Sequence, residues 1–373
     1  MKVLFSFIYP LEGNNGGVER VTISIIKGLE KKGIECYCLL CEENYRKLSV
    51  NGQQIMSLYD YLIDNHIDII VNQDGSCADL TRLLQHNKWA GKYIVCFHST
   101  LHMFKKMYSF SVVYECFKKQ KTIIWFLRLL FLPLWRWNVH KGTMREFKIN
   151  YNRADHFVLL SKSFFNDFKQ QTKITNCNKI FSINNILTMP IAISYNQNNK
   201  KKIVLTVCRL YKEKRVNYML KAWSAVEKKH PDWSFYILGD GPMLSTLKEL
   251  CRQLQLKKVV FWGKQSPLEY YLEASIFLMC SDYEGWGLTL TEAQSQGCVP
   301  IAMNSYSSLH DIITNDKNGI ITPNNDLDAF SNAINRLIEN PNKLNMLAQA
   351  GRESVKSFSE NVIINKWIEI FKQ

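Results

Sequence analysis

This sequence lacks any run both long enough and apolar enough to cross a bilayer as a helix, for which about 20 residues are needed. The nearest approach, Ile123 to Trp137, is broken by Arg128, Pro133 and Arg136. Internal repeats and low-complexity tracts are also missing, which leaves out repeat architectures and disordered tails. No secretory leader is recognisable at Met1-Lys2-Val3-Leu4-Phe5, and the 11 cysteines make an odd set. A reducing interior is therefore expected, not a disulfide framework. Cys36, Cys38 and Cys41 lie in one alternating strand with no partnering Cys/His pair nearby. Tetrahedral sites present their ligands from turns, so no metal is expected there. Acidic residues are in deficit, 33 against 47 Lys and Arg, for a net charge of +14.

What is present is ample for packed cores: 373 residues, 46% of them hydrophobic. Length suggests two domains. The first half opens with an apolar strand over 2–8, a loop over 9–15, Gly16-Gly17, a helix over 18–32 closed by Gly33, and a strand over 34–41. That succession is the unit of a parallel α/β sheet. Further strands are predicted over 67–72, 93–97, 156–160 and 180–183. The Asn-rich tract 195–202 reads as a linker. Beyond it the alternation restarts, with strands over 203–207, 234–238, 259–262, 276–280, 299–303 and 319–322. Helices are expected over 217–230, 243–254 and 288–296. The expected division is residues 1–195, 196–358, and a last helix within 359–373 that packs back on the first half. Two parallel-sheet halves of this kind leave a cleft, with ligands bound beyond the strands' carboxyl ends.

The positive charge is concentrated. Residues 103–148 carry ten Lys/Arg against two acids, with eleven aromatics that include Trp125, Trp135 and Trp137. Basic residues mixed with Trp and Phe describe a helix lying in a membrane interface. An anionic membrane surface is the expected partner. An internal hairpin with core tryptophans is the second reading. Nucleic acid is the third, though no recognition motif accompanies the charge.

Five groups of residues carry the chemistry. Glu284 and Glu292 stand in the run from Ser281 to Gly297. Glu284 is expected in a strand-to-helix loop and Glu292 on an early turn of the helix. Gly285 and Gly287 permit close backbone approach, and the amides near Gly287, Leu288 and Thr289 form a phosphate cradle. Two carboxylates flanking an anion site suit a sugar nucleotide; a solvated acidic turn is the plainer reading. Arg209 and Lys214 follow the strand over 203–207. An Arg fork and a mobile Lys charge can together neutralise a departing diphosphate; ordinary surface charge in a Lys-rich loop is the other reading. Gly239-Asp-Gly-Pro242 is mainly a structural turn whose backbone lines the nucleotide pocket. His98, in Cys96-Phe-His-Ser99, ends a first-half strand, where it could bond a sugar hydroxyl or the reacting face; a satisfied packing histidine is the other reading. Gly16 and Gly17 open the first helix and leave amides for an anion or a hydroxyl; a plain turn is the equal alternative.

In order and spacing, this set resembles the family-4 retaining glycosyltransferases of the GT-B fold. The matching stretches are Gly16-Gly17-Val-Glu-Arg, Val207-Cys-Arg-Leu with Lys214, Ile237-Leu-Gly-Asp-Gly-Pro, Val260-Phe-Trp-Gly263, and Glu284-Gly-Trp-Gly through Glu292-Ala to Gly297. Val158-Leu-Leu-Ser161 and Ile183-Asn-Asn185 add to it. The resemblance implies two Rossmann-like domains facing across a cleft, the first for the acceptor and the second for the nucleotide sugar. It implies that Arg209 and Lys214 hold the donor diphosphate, Glu292 the ribose, Glu284 the sugar hydroxyls, and that His98 contacts the sugar. Gly239, Gly263, Gly287, Leu288 and Thr289 would line the donor site. Cys208 and Arg215 stand where the family commonly has glycine, Asn184 where it has proline, and Asp311 where glutamate is more frequent.

The implied activity is transfer of a hexose-type sugar, with retention, from a UDP-sugar or else a GDP-sugar. The acceptor would be a glycan or lipid-linked saccharide at the inner face of the plasma membrane, in surface-polysaccharide assembly. No cofactor or metal is expected, since Asp326-Leu-Asp328 precedes a helix and reads as a cap. A sugar-nucleotide epimerase and a catalytically silent anchoring subunit are the alternatives.

Overall fold

The computed structural model describes residues 1–7, 16–42, 47–85, 89–101, 114, 123–192 and 200–373, with only the backbone of Trp125. The loop expected over 9–15, the first part of the basic-aromatic segment and most of the Asn-rich tract lie outside these residues. The chain divides into two compact units, Met1–Ile186 with Glu360–Gln373, and Leu187–Ser359.

The first unit begins β1 (Lys2–Phe7), α1 (Gly17–Glu30), β2 (Glu35–Glu42), β3 (Lys47–Val50), β4 (Gln53–Ile55) and α2 (Leu58–Asp64). It continues through β5 (Ile69–Asn72), α3 (Asp79–Gln85), β6 (Lys92–Phe97), α4 (Ile123–Leu130) and α5 (Leu132–Arg153). β7 (His156–Leu159), α6 (Phe164–Thr172) and β8 (Ile180–Ser182) follow. Its sheet runs β4-β3-β2-β1-β5-β6-β7-β8. Only the β2/β3 and β3/β4 pairings are antiparallel. The hairpin turns at Asn51-Gly52, both in the left-handed region at φ 50° and 83°. The central strands are apolar on both faces, as a sheet covered by helices requires: β5 and β1 from Val3 to Phe5 are fully buried.

The second unit contains β9 (Lys201–Val207), α7 (Val216–Lys229), β10 (Ser234–Leu238), α8 (Leu244–Gln253) and β11 (Val259–Gly263). Then come α9 (Leu268–Glu273), β12 (Ala274–Met279), α10 (Leu288–Ser295), β13 (Val299–Met303), α11 (Leu309–Ile312) and β14 (Ile320–Thr322). Helices α12 (Leu327–Ile338) and α13 (Pro341–Ser354) end it. The sheet order is β11-β10-β9-β12-β13-β14, all parallel. Trp223, Phe235, Ile237, Ile276, Leu278 and Phe330 are fully buried in one core. Each such side chain contributes roughly 1.5–3 kcal/mol on burial. Asp326 caps α12, its carboxylate accepting from the Ala329 amide at 2.8 Å, which is the cap read from the sequence.

The last helix, α14 (Glu360–Lys372), belongs to the first unit. Its face Ile363, Ile364, Trp367, Ile370 and Phe371 is buried. It lies so close to α1 that a side chain at Gly28 would collide with Ile364. Lys31 pairs with Glu360 at 2.7 Å beside that contact, and Lys92 donates to the Phe371 carbonyl at 2.7 Å.

Two boundaries differ from the sequence reading. The division falls at Ile186/Leu187, ahead of the Asn-rich tract, because the Leu187 amide already bonds to Phe358 O at 2.8 Å in the second unit. The linker also ends sooner, since Lys201 and Lys202 are the first residues of β9. The basic-aromatic segment is neither all surface nor all core. Met144 and Phe147 on α5 are buried, with Phe147 edge-on to Phe97 at 4.8 Å, whereas Leu134 and Trp137 on the same helix are exposed.

Candidate functional site

The carboxyl ends of β9, β10 and β11 are stitched together by backbone bonds. Cys208 N donates to Leu238 O at 3.0 Å, Gly239 N to Gly263 O at 2.7 Å, and Leu210 N to Asp240 O at 2.8 Å. Gly239 sits at φ 135°, and a side chain there would strike the Cys208 carbonyl. At Gly241, with φ 155°, a side chain would collide with the Leu210 carbonyl. Glycine is required at both by geometry, so the Gly-Asp-Gly-Pro turn fixes the floor on which the segment 208–214 rests.

After β9 the chain makes a single turn of 3-10 helix over Lys212–Lys214 and reverses at Arg215, whose backbone is left-handed at φ 49°. The conformation is uncommon for a residue with a side chain. Four bonds hold it there. Arg215 donates to Cys280 O at 2.5 Å, Ser281 O at 3.3 Å, Asn324 Oδ1 at 2.9 Å and Asn325 Oδ1 at 2.8 Å. The Asp282 amide completes the seam by donating to Glu213 O at 2.7 Å.

That seam brings together two predicted site residues. Lys214 Nζ lies 2.5 Å from Glu284 Oε1, both side chains being largely buried at 15% and 17% exposure. Burial works against the lysine's charge, but the Glu284 carboxylate outweighs it and holds the Lys214 pKa above its ordinary value. Trp286, packed edge-on to Phe358 at 5.1 Å, pins the loop beyond Glu284. Gly287 then starts α10 in the left-handed region at φ 107°. Leu288 and Thr289 are the first two residues of that helix, where backbone amides have no intrahelical carbonyl to meet.

The other predicted residues are placed differently. Arg209 is exposed, its guanidinium 5.2 Å over the Tyr211 ring; among the described residues no hydrogen bond ties it to Lys214 or Glu284. Glu292 occupies the second turn of α10 and is only 1% exposed. Its carboxylate faces inward, accepting from Thr188 Oγ1 at 2.6 Å and Tyr271 OH at 3.3 Å. Gly263, at φ 70°, has open space where a side chain would stand.

Gly16, Gly17 and His98 belong to the first unit. Gly16 is the N-cap of α1 with an extended backbone that any residue adopts; a side chain there would meet the Glu19 carboxylate. His98 follows β6, and its Nε2 shares a short hydrogen bond with Gln73 Oε1 at the end of β5. Burial holds the imidazole pKa down to about 4, so the ring is neutral at physiological pH. Its Nδ1 and the Gln73 Nε2 are buried without a partner, two hydrogen-bonding groups left over for a polar ligand.

Sequence reasoning did not reach Arg215, Thr188, Tyr271 or Gln73 as parts of these sites. Arg215 registers in the sequence only as a departure from a glycine common in the family. Thr188, Tyr271 and Gln73 are distant in sequence from the groups they bond, and only the fold joins them.

Two units built on parallel sheets, with a basic and an acidic residue meeting beyond the strands of the second, have the architecture of the GT-B fold. Residues 191–354, nearly all of the second unit, match the family model described as glycosyl transferases group 1. It is 26% identical over 238 residues to an amylovoran biosynthesis glycosyltransferase of Erwinia amylovora, covering 61% of this chain and 66% of that protein. It is 24% identical over 225 residues to a poly(ribitol-phosphate) alpha-N-acetylglucosaminyltransferase of Staphylococcus aureus, covering 60% and 45%. The chain thus spans less than two thirds of the length of these relatives. Among solved structures, an Anabaena protein (HepE) in complex with UDP matches with a TM-score of 0.72 at 14% identity, all of both chains being covered. At that identity the likeness speaks for the fold alone.

Proposed function

We propose that this chain is a retaining glycosyltransferase that moves a hexose-type sugar from a nucleoside diphosphate sugar to a glycan acceptor. The observation that carries the reading is the Lys214–Glu284 pair, set in a family-matched unit immediately before the helix start at Gly287. A diphosphate placed at Leu288 and Thr289 is neutralised by the helix-start amides and Lys214, with Arg209 swinging from Tyr211 to join them. Glu284, released from Lys214, takes the donor sugar's hydroxyls. Glu292 takes the ribose by exchanging the Thr188 hydroxyl for a ribose hydroxyl, one donor for another. His98, neutral, accepts a sugar hydroxyl at Nδ1.

The reaction is a same-face displacement. The bond from the anomeric carbon to the leaving phosphate oxygen breaks, the acceptor oxygen bonds to that carbon, and the acceptor's proton passes to the departing phosphate. Positioning and charge stabilisation supply the catalysis, and no metal or cofactor enters. UDP-sugars are the favoured donors and GDP-sugars come second. The relatives' names support surface glycans as the acceptor class. A lipid-linked saccharide, met at the inner face of the plasma membrane, suits the basic-aromatic first half. Nucleic acid is not a partner in this reading.

The test is a panel of nucleotides and nucleotide sugars screened for thermal stabilisation, because a ligand stabilises the state it binds. The best donor is then incubated with and without saccharide acceptors and the product anomer assigned by NMR. A stabilising UDP-sugar and an acceptor-dependent product of unchanged anomeric configuration are expected. Conversion of the donor alone would make the chain an epimerase. Binding with neither transfer nor hydrolysis would make it a silent subunit.

A further inference from the structure

Helices α4 and α5 carry an outward face that inverts the usual order of a helix on a domain. Positions spaced alternately by four and three residues fall on one side of a helix. Taken from Ile123, that series runs through Leu127, Leu130, Leu134 and Trp137, and these side chains are 75%, 46%, 59%, 61% and 59% exposed. The join between the helices does not break the series: Phe131 N donates to Leu127 O and Trp135 N to Phe131 O, both at 2.9 Å. Carried on, the series reaches Lys141, the buried Met144 and Lys148; on the side away from Met144 the exposed Lys141, Arg145 and Lys148 continue the face as cations. The core-facing side of α5, with Met144, Phe147 and Tyr151 buried, lies elsewhere on the helix.

Charge decides what this face meets. Glu146 is the single acidic residue from Ile123 to Arg153, and it turns inward to pair with Arg82 at 2.5 Å and to accept the Ala78 amide at 3.0 Å. The outward face is therefore apolar at one end and purely cationic at the other. A second copy of the chain would set its cations against these. Nucleic acid would leave the leucines in water. The apolar part, Ile123 to Trp137, is about 21 Å long at the helical rise per residue, too short for the roughly 30 Å hydrocarbon core. Among the described residues no helix is long and apolar enough to cross a membrane.

We propose that the Ile123–Trp137 face of α4 and α5 lies flat in the headgroup layer of an anionic bilayer, its leucines submerged and Lys141, Arg145 and Lys148 on the lipid phosphates. The inference rests on the membrane-acceptor part of the proposed function and gives it a surface. Lys141, with its ammonium 4.9 Å over the Trp137 ring, marks the waterline.

The experiment is flotation of the full chain, with no nucleotide sugar present, on vesicles of phosphatidylcholine alone or mixed with phosphatidylglycerol. Binding to the mixed vesicles is expected to exceed binding to the neutral ones at least tenfold. The double variant Leu127→Glu/Leu134→Glu, and separately Lys141→Glu/Arg145→Glu, should each lose it at least tenfold with the melting temperature unchanged. Transfer to a water-soluble acceptor, measured in parallel, should be the same in all three proteins. Failure of that transfer in the parent chain would overturn the catalytic reading and leave the docking result standing. Unchanged flotation of the Leu variant would overturn the docking face. So would a parent chain that is dimeric by light scattering and becomes monomeric in that variant, or a face that captures RNA in place of vesicles.

Discussion

Lys214 and Glu284 come from loops that follow different strands and meet side chain to side chain at 2.5 Å. The contact has a stability side and a chemical side. Removing one partner leaves the other's charge in a largely buried place. Glu284→Ala is expected to lower stability by about 2 kcal/mol and transfer by at least 100-fold. Lys214→Ala should match it in activity. Thermal melts and steady-state kinetics with the best donor check both. Either variant turning over at the parent rate would remove these residues from the reaction.

Arg215 holds the seam that makes the pair possible. Replacing it with glycine relieves a left-handed backbone but surrenders four hydrogen bonds to the loops carrying Cys280, Ser281, Asn324 and Asn325. The losses are the larger sum, since a charged hydrogen bond contributes about 1.5–3 kcal/mol and a relaxed glycine returns about 1. Arg215→Gly should therefore melt earlier and lose kcat about tenfold or more, while Arg215→Lys, which keeps one donor group, falls between. A glycine variant as stable and active as the parent would show that the seam forms without its tether.

His98 makes a pH prediction of definite sign. Its folded pKa, about 4, lies below the ordinary histidine value near 6.5, so between those values the unfolded chain binds the extra proton. The stability this group contributes is complete above about pH 6.5 and is lost as the pH falls towards 4, at up to about 1.4 kcal/mol per pH unit. Urea melts from pH 7 to 4.5 should show that slope, and His98→Gln should flatten it. An unaltered slope in the variant would place the titration elsewhere.

Metal removal tests the charge bookkeeping. With Lys214, Arg209 and the amides of α10 carrying the diphosphate, EDTA is expected to leave transfer unchanged. Loss that magnesium restores would require a divalent ion on the phosphates.

Much of this architecture was legible in the sequence, for reasons the structure makes plain. Strands such as Ser234–Leu238 and Val299–Met303 were bounded by turn residues and apolar on both faces, so the reading and the fold agree to the residue. The hairpin of β3 and β4 was missed because its strands are short and polar, although Asn51-Gly52 is a strong hairpin turn signal. In the site, spacing placed Glu284 and Lys214 on neighbouring loops. It gave no hint that Glu292 would be sealed against Thr188 and Tyr271, because burial of a carboxylate depends on partners remote in sequence. The basic-aromatic segment divided for the same reason: a helix shows one face to the sheet and another to solvent, and composition averages the two.

The close seat of α14 on α1 at Gly28 bears on biogenesis. A ribosome delivers residues 187–359 before it delivers Glu360, so the second unit has all of its chain while the first still awaits its closing helix. Until then the apolar groove beside Gly28 stands uncovered, and Glu360–Lys372 is the latch that shuts it last.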